Sequence, residues 1–163
     1  MSVNLIYAAT EDRIIGNRGK LPWVLTEDLR RFQQLTMGGV VIMGSVTYSS
    51  IPAKKRPLKG RTNIVLSRDP RYKVANCRVY DSLKSAISDY NDKPIWIIGG
   101  GEVLKQSMDL ADKIYLTLIH NKIVGDTFSP IIDPAQWEQT ERSEVMSEGT
   151  IRYQYITYTR RSV

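Results

Sequence analysis

The sequence contains very little cysteine and histidine, which excludes several kinds of protein. Among its 163 residues, Cys77 is the single cysteine and His120 the single histidine. One cysteine cannot form an intrachain disulfide, and these two residues provide no cluster of metal ligands at a recognisable spacing. We therefore expect a cytoplasmic protein without a bound metal, in which both residues are structural.

The sequence also has no apolar run that suits a membrane span. The apolar stretch over residues 3–9 has no basic leader and stops at Glu11 and Asp12. A stretch of this length is too short for a transmembrane helix or a signal sequence. We interpret it as a buried strand and expect no association with a membrane.

Positive charge exceeds negative charge, with a net charge of +6 and a pI of about 9.5. Such an excess attracts anions over long range without specifying a chemistry. The basic runs at residues 54–61 and 68–73 include prolines, and no basic helix or aromatic-interleaved array accompanies them. We expect small anionic ligands and no nucleic-acid partner.

Strand-like and helix-like segments alternate along a chain whose length suits one domain. Strands are predicted at Val3–Ala9, Val40–Met43, Asn63–Leu66, Cys77–Tyr80, Ile95–Ile98 and Lys113–Ile119, and helices at Thr26–Met37, Ser82–Tyr90 (with Ser82 as N-cap) and Glu102–Asp109. The pattern predicts a single α/β domain over residues 1–163, with a mixed, mostly parallel central sheet flanked by helices. Near the C terminus, Trp137–Val145 and Thr150–Thr159, joined by a turn at residues 146–149, predict an antiparallel hairpin.

An acidic residue stands on the apolar face of the first predicted helix. With Thr26 as N-cap, a step of about 100° per residue places Asp28 near the centre of a stripe formed by Leu29, Phe32, Leu35 and Thr36. The other side carries Glu27, Arg30, Arg31 and Gln34. A carboxylate among apolar neighbours has a raised pKa or binds a ligand of complementary charge. The alternative is that Asp28 only interacts with the helix dipole, for roughly 0.3–1 kcal/mol.

Two glycine turns follow predicted buried strands. Gly99-Gly100-Gly101 follows Ile95–Ile98, and Gly44 follows Val40–Met43, each before a predicted helix start. A turn without side chains lets a phosphate approach the N–H groups at the positive end of a helix. The triple glycine lacks the GxGxxG spacing, and a tight turn without a ligand is the alternative. Two such turns in one sheet favour a dinucleotide.

A set of motifs extends over most of the chain. Gly16 is followed after four residues by Leu21-Pro22-Trp23, then by Asp28 and Phe32. Gly44, Thr47, Gly99-Gly100-Gly101 and Gly125-Asp126-Thr127 come next. In their order and approximate spacing, these motifs resemble those of the bacterial-type dihydrofolate reductases. The resemblance implies reduction of 7,8-dihydrofolate to tetrahydrofolate with NADPH, for one-carbon metabolism and for thymidylate and purine synthesis. It also implies a cytoplasmic monomer that binds antifolates.

The resemblance further implies roles for individual residues. Asp28, helped by Thr117, would hold the pterin and assist protonation of N5, and Trp23 would position a water. The implied catalytic residues are Asp28, Trp23, Tyr7 and Thr117. The implied substrate-binding residues are Ile6, Tyr7, Asp28, Leu29, Phe32, Ile51, Arg61, Ile98 and Thr117, of which Arg61 would bind the carboxylate of the glutamate tail. The implied NADPH-binding residues are Ala8, Ile15, Gly16, Leu21, Gly44, Ser45, Val46, Thr47, Leu66, Ser67, Arg68, Ile98, Gly99, Gly100, Gly101, Glu102, Val103, Leu104 and Thr127.

Two larger features are implied as well. The Gly99–Gly100 peptide bond is expected to be cis, as in relatives. Residues 11–24 would form a mobile lid over both ligands, and residues 125–127 would brace its closed state.

Four positions depart from the family's pattern. Ser45 and Glu102 stand where many relatives have basic residues, so positive charge near the cofactor phosphates is reduced. NADPH preference then depends on Arg68, with Lys54, Lys55 or Arg71 as further candidates, and use of NADH stays open. Tyr7 and Leu104 replace small and aromatic residues respectively, which predicts a reshaped pocket with reduced affinity for antifolates such as trimethoprim.

Three other functions remain as alternatives. The reductase domain of riboflavin synthesis has the same architecture, but the spacing from Leu21-Pro22-Trp23 to Asp28 argues against it. A basic nucleic-acid-binding module is suggested by the charge and the nine tyrosines. A catalytically silent dinucleotide-binding protein would bind cofactor without oxidising it.

Overall fold

The computed structural model describes residues 2–18 and 23–162. Its strands are β1 (Val3–Thr10), β2 (Ile14–Gly16), β3 (Val40–Gly44), β4 (Thr62–Leu66), β5 (Arg78–Tyr80), β6 (Ile95–Gly99), β7 (Lys113–Ile119), β8 (Thr127–Phe128), β9 (Trp137–Arg142), β10 (Met146–Glu148) and β11 (Ile151–Arg160). Its helices are α1 (Thr26–Thr36), α2 (Ser45–Ser50), α3 (Leu83–Asp89) and α4 (Gly101–Ser107), with a short 3-10 turn at Ala53–Lys55.

The central sheet has the strand order β10-β11-β7-β1-β6-β3-β4-β5, with β9 also paired to β11. The pairs from β7 through β5 are parallel, whereas β11 runs antiparallel to β7, β9 and β10. The predicted mixed, mostly parallel sheet flanked by helices is therefore confirmed. A second, small antiparallel sheet pairs β2 with β8, which the sequence did not predict. None of the helices within the described ranges is long and apolar enough to cross a membrane.

Successive residues of the central strands pack on opposite faces of the sheet. In β3, Val40 and Ile42 belong to the cluster that includes residues of α3 and α4. Val41 and Met43 belong to the cluster that includes residues of α1 and α2. Because helices cover both faces, the strand is apolar throughout and does not alternate with polar residues. Its carboxyl end lies at the sheet edge that carries the predicted phosphate turns.

The start of α1 differs from the prediction. Leu25 is the N-cap, and Thr26 is the first helical residue. Leu25 is buried, and its side chain cannot accept a hydrogen bond, so the free N–H groups need another acceptor. Glu148 of β10 supplies it, accepting from the backbone N of Thr26 at 2.9 Å and of Glu27 at 3.3 Å. The prediction of Thr26 as N-cap was wrong because the acceptor comes from a distant strand.

The C-terminal hairpin also differs from the prediction. Residues 146–148 form β10, which pairs with the start of β11, and are not the turn. The turn is tighter and contains Gly149, whose φ of +60° favours glycine. The first predicted strand ends at Arg142, and β9 pairs further along the same β11. Since β11 is 10 residues long, it pairs with both β9 and β10.

Candidate active site

Asp28 lies in the first turn of α1, against β7. Its Oδ1 accepts a hydrogen bond of 2.6 Å from the hydroxyl of Thr117, a buried residue in β7. Burial raises the pKa of the Asp28 carboxyl, and the Thr117 hydrogen bond opposes that rise. Arg31 also lowers the pKa of Asp28, whereas Glu148 raises it. The carboxyl group is thus held in place by β7 and partly withdrawn from water.

A partly buried apolar surface, here called the slot, lies on the sheet face that α1 covers, where Phe32 follows Asp28 by one helical turn. Its side chains pack in one cluster: Ile6, Phe32, Ile51 and Ile98. Near the end of α1, the Arg61 guanidinium donates to Thr36 Oγ1 at 3.1 Å, and its carbon lies 5.9 Å from the Phe32 ring centroid. Thr36 is eight residues after Asp28, which corresponds to about 12 Å along a helix. A carboxylate and a guanidinium at this separation, with an apolar slot between them, fit a flat heterocycle that carries an anionic tail.

Trp23 packs against β7 and β11. Its side chain is buried in a cluster with Leu25, Ile119 and Tyr153, and Ala8 packs against the same cluster. These contacts hold the indole close to the strands from which Thr117 and the tyrosines of β11 project.

A glycine turn links β6 to α4. Gly99 has a φ of +141°, and the Gly99–Gly100 peptide bond is cis, which confirms the expected isomer. A Cβ on Gly100 would lie 3.4 Å from Thr47 Oγ1, and one on Gly101 would lie 2.7 Å from the carbonyl oxygen of Phe128. The turn at Gly101 therefore excludes a side chain, because it packs closely against Phe128. The first N–H groups of α4 have no acceptor within the helix itself.

The second glycine turn lies directly beside the first. Gly44 ends β3 and is the N-cap of α2, and the neighbouring strand residue Met43 is in register with Gly99. A Cβ on Gly44 would lie 3.4 Å from Val103 and 3.9 Å from the backbone N of Gly100. Two side-chain-free turns, together with the nearby Thr47 hydroxyl, fit the pyrophosphate of a dinucleotide.

Asp126 connects the segment after β2 to the loop before β8. Its carboxylate accepts from the backbone N of Arg18 at 3.1 and 3.2 Å, and its own backbone N donates to the carbonyl of Gly16 at 3.0 Å. A Cβ on Gly125 would lie 2.3 Å from Ile14 Cγ2. The segment after β2 therefore packs closely against residues 125–127.

Comparison with known proteins identifies the family to which this geometry belongs. The family model described as dihydrofolate reductase matches residues 2–160. The dihydrofolate reductase of Mycobacterium leprae is 36% identical over 162 residues, 97% of this chain and 98% of the relative. That of Haemophilus influenzae is 44% identical over 139 residues, 85% of this chain and 84% of the relative.

The chain belongs to the dihydrofolate reductase family. A solved structure agrees: dihydrofolate reductase from Enterococcus faecalis, complexed with NADP(H) and RAB-propyl, superposes with a TM-score of 0.89. It is 32% identical and covers 99% of this chain and 97% of its own. The resemblance inferred from the motifs is thereby confirmed, as is the fold.

Most residues that the dihydrofolate reductase resemblance singled out lie along one edge of the sheet. They include the residues of the slot and the residues of the two glycine turns. Leu66, Ser67 and Arg68 lie at the end of β4, where Leu66 is in register with Gly44. Ser45, Val46 and Thr47 begin α2, and Glu102 and Val103 begin α4. Ile15, Gly16 and Thr127 lie in the β2–β8 pair, whereas Leu21 lies outside the described residues.

Two residues expected at the ligand sites point elsewhere. Tyr7 packs with Leu5 on the opposite face of the sheet from Ile6, and burial raises the pKa of its phenol. The prediction that Tyr7 lines the slot was wrong because neighbouring side chains of a strand point to opposite faces. Leu104 has no exposed surface and belongs to the same core cluster as Leu5. The reduced antifolate affinity inferred from Tyr7 and Leu104 therefore loses its structural basis.

Leu29 is 52% exposed, so it is at most the outer rim of the slot in this structure. Arg31, which was assigned to the solvent side of α1, instead stacks with its guanidinium carbon 4.0 Å from the Tyr155 ring centroid. The sequence contained a signal for this position of Arg31. Arg31 is three residues after Asp28, and residues three apart in a helix lie on the same face. Within the described residues, no group of three or more His, Cys, Asp or Glu side chains could hold a metal ion.

Proposed function

We propose that this protein catalyses the NADPH-dependent reduction of 7,8-dihydrofolate to 5,6,7,8-tetrahydrofolate. The observation that carries the proposal is the Asp28 carboxyl, held 2.6 Å from Thr117 beside the apolar slot in a chain of this family. NADPH supplies the hydride that C6 of the substrate accepts, and N5 takes up one proton. The product would supply one-carbon metabolism and thymidylate and purine synthesis.

Asp28 binds the pterin and assists the protonation of N5. Thr117 donates to Oδ1, which leaves Oδ2 and a remaining lone pair of Oδ1 free to accept hydrogen bonds from the pterin amino group and adjacent ring N–H. Because burial raises its pKa, Asp28 is closer to the protonation range of a general acid than an exposed aspartate is. Trp23, buried beside β7, positions the water near the pterin oxygen.

The rest of the slot orients the substrate. Ile6, Phe32, Ile51 and Ile98 enclose the ring and the aminobenzoyl group, and Leu29 covers the slot from its rim. Arg61 binds the carboxylate of the glutamate tail, where a planar guanidinium can donate two parallel hydrogen bonds. Its Nε bonds the carbonyl of Lys59 at 2.9 Å, which fixes its orientation.

The two glycine turns bind the cofactor. Gly99, Gly100 and Gly101, together with Gly44, Ser45 and Thr47, hold the pyrophosphate. Ala8 and Ile15 contact the nicotinamide, and Arg68, exposed after β4, pairs with the adenosine 2′-phosphate. Residues 11–24, of which residues 19–22 lie outside the described part of the chain, act as a lid that excludes water, and the contact of Arg18 with Asp126 braces its closed form.

The first test is the dihydrofolate-dependent loss of NADPH absorbance, measured in parallel with NADH. Rapid loss with NADPH supports the proposal. Comparable rates with both cofactors would mean that the missing charge at Ser45 and Glu102 relaxes cofactor choice. Loss with neither would contradict the proposal and favour the riboflavin-type reductase or a silent dinucleotide-binding protein.

Asp28→Asn is expected to lower turnover at neutral pH by about 10²-fold or more, a typical contribution of a general acid. The matched control is Glu27→Gln, which makes the same chemical change one residue earlier, at an exposed side chain paired with Arg30. Steady-state kinetics with NADPH distinguishes the two variants. Equal turnover in Asp28→Asn and the parent protein would remove Asp28 from its catalytic role.

Arg68→Ala is expected to reduce kcat/KM for NADPH by about tenfold, as one lost charge-assisted contact of 1.4 kcal/mol would, and to leave kcat/KM for NADH unchanged. The comparison variant is Arg71→Ala, whose guanidinium is bound to Asp69 at 3.4 Å. If only Arg71→Ala weakens the use of NADPH, the 2′-phosphate is bound by Arg71 and not by Arg68.

A further inference from the structure

We propose that Arg31, stacked on the Tyr155 ring about one helical turn from Asp28, is a positioning residue that keeps the Asp28 carboxylate available to the pterin. The inference rests on the proposed function, because Asp28 matters as the group that binds and protonates the pterin. It concerns this chain's own residues on α1 and β11, which meet outside the slot.

The geometry separates Arg31 from the other arginine on α1. The Arg31 guanidinium carbon lies 4.0 Å from the centroid of Tyr155, and the side chain is half-buried. Arg30, by contrast, has a side chain 61% exposed and bonds Glu27 at 2.8 Å. Among the described residues, Arg31 forms no ion pair within 4 Å of a carboxylate. Its position is therefore fixed by an aromatic ring. Tyr155 is in register with Thr117, which donates to Asp28, and Asp28 lies three residues before Arg31 on α1, so the stacked guanidinium is held on the same side of the helix as the Asp28 carboxyl group.

The groups around Asp28 come from several elements. Arg31 and Glu27 lie on the same helix, Thr117 on β7, Glu148 on β10, and Tyr153 and Tyr155 on β11. Burial and then Asp28 itself raise the pKa of Tyr155 to about 12, so its phenol is neutral at neutral pH. Glu27 is paired with Arg30 and exposed. Among these groups, Arg31 is thus the cation that lowers the pKa of Asp28.

These neighbours oppose one another. Burial and Glu148 both raise the pKa of Asp28, whereas the Thr117 hydrogen bond and Arg31 lower it. Without Arg31, the hydrogen bond alone would oppose burial and Glu148. The carboxyl would then hold its proton at higher pH, and less of the free protein would present the carboxylate that accepts from the pterin. A planar guanidinium suits this place because it stacks on a ring while keeping its charge.

The direct test is a titration of the Asp28 carboxyl carbon by NMR in the full chain labelled with 13C-aspartate, with Asp28→Asn used to assign the signal. The variants are Arg31→Met, which keeps the apolar stem and removes the charge, and Arg31→Lys, which keeps the charge. Arg30→Met is the matched control, because it removes one positive charge from the exposed face of the same helix.

The expected result is that the Asp28 midpoint moves to higher pH in Arg31→Met, and stays near the parent value in Arg31→Lys and Arg30→Met. The pH profile of kcat/KM for dihydrofolate should move in the same direction in Arg31→Met only. A loss of packing against Tyr155 would lower stability without moving either profile, and circular dichroism of each variant checks that it is folded.

An unmoved Asp28 midpoint in folded Arg31→Met would overturn the inference. So would an equal shift in Arg30→Met, which would mean that net charge and not the stacked position is responsible. If the midpoint moves as expected but the parent protein does not reduce dihydrofolate, the inference about Arg31 and Asp28 stands and the proposed function fails.

Discussion

At Asp28, a hydrogen bond of 2.6 Å from Thr117 accompanies burial that raises the pKa of the carboxyl above its ordinary value of 3.8. A raised pKa in the folded protein means that folding disfavours the ionised form. The free protein is therefore less stable at neutral pH than it would be with a neutral side chain of the same shape. Such a cost is typical of functional residues that await a ligand.

Asp28→Asn is accordingly expected to raise the melting temperature of the free protein at pH 7. An aspartate with a raised folded pKa favours the folded state most at low pH and loses that contribution as pH rises through the folded value. The increase in melting temperature caused by Asp28→Asn should therefore become smaller as pH falls toward 3.8. Thermal unfolding across this pH range is the measurement, and a melting temperature equal to the parent's at pH 7 would contradict the expectation.

At the scale of elements, α1 and α3 are capped in different ways. Ser82, predicted as the N-cap of α3, accepts from the backbone N of Ser85 at 3.1 Å, so its cap is local. The start of α1 depends on Glu148, which lies 122 residues from Thr26. Formation of α1 is thus coupled to the docking of β10, and the helix that carries Asp28 is fixed by the far end of the chain.

Glu148→Gln is expected to lower the melting temperature at pH 7. The backbone N–H groups of Thr26 and Glu27 hold the pKa of Glu148 below its ordinary value of 4.5. A lowered folded pKa gives stabilisation that is fully present above 4.5 and is lost as pH falls through the lowered value. The difference from the parent protein should therefore disappear in acid. Glu144→Gln, an exposed change in the same segment, is the control for general charge removal.

Gly125→Ala is expected to disrupt the contact between the β2–β8 pair and the following segment. Its Cβ would lie 2.5 Å from the carbonyl oxygen of Gly16, a rigid backbone atom that Asp126 also bonds. We expect kcat to fall about tenfold, because misplacement of the lid exposes the ligands to water. Val124→Ala is the control, since it shortens the neighbouring side chain, which is 84% exposed. Unchanged kcat in Gly125→Ala would remove residues 125–127 from lid support.

At the scale of the whole molecule, the parallel strands bring both ligand sites to one edge. β1, β3, β4 and β6 run in the same direction, so the residues that follow them share that edge. The protein as a whole carries a net charge of +6, and both proposed ligands are anionic. Long-range attraction should therefore contribute to ligand capture.

The value of kcat/KM for dihydrofolate is expected to fall as ionic strength rises from about 0.01 to about 0.15 M, because the screening length shortens from about 30 to about 8 Å. The value of kcat at saturating ligand should change much less, since it excludes the encounter step. Steady-state kinetics in a salt series measures both. A kcat/KM independent of salt would mean that local contacts alone capture the ligands.

The sequence by itself determined the buried strands, the two glycine turns, the place of Asp28 on α1 and the family. The first three depend on periodicity and steric requirements within a few neighbouring residues, and so they can be recognised locally. The family followed from the order and spacing of motifs along the chain. The cis Gly99–Gly100 bond followed from the resemblance. The roles assigned to the binding residues remain predictions for the kinetics described above.

Only the tertiary structure decided which side chains meet. It placed Tyr7 and Leu104 in the core, Arg31 on Tyr155 and Glu148 at the start of α1. The resemblance had paired Thr117 with Asp28, 89 residues away, and the structure supplied the hydrogen bond of 2.6 Å between them. The physical reason is that such contacts depend on strand order and on which face of a strand or helix is covered. Strand order and the covered face cannot be read from the few residues on either side of a contact.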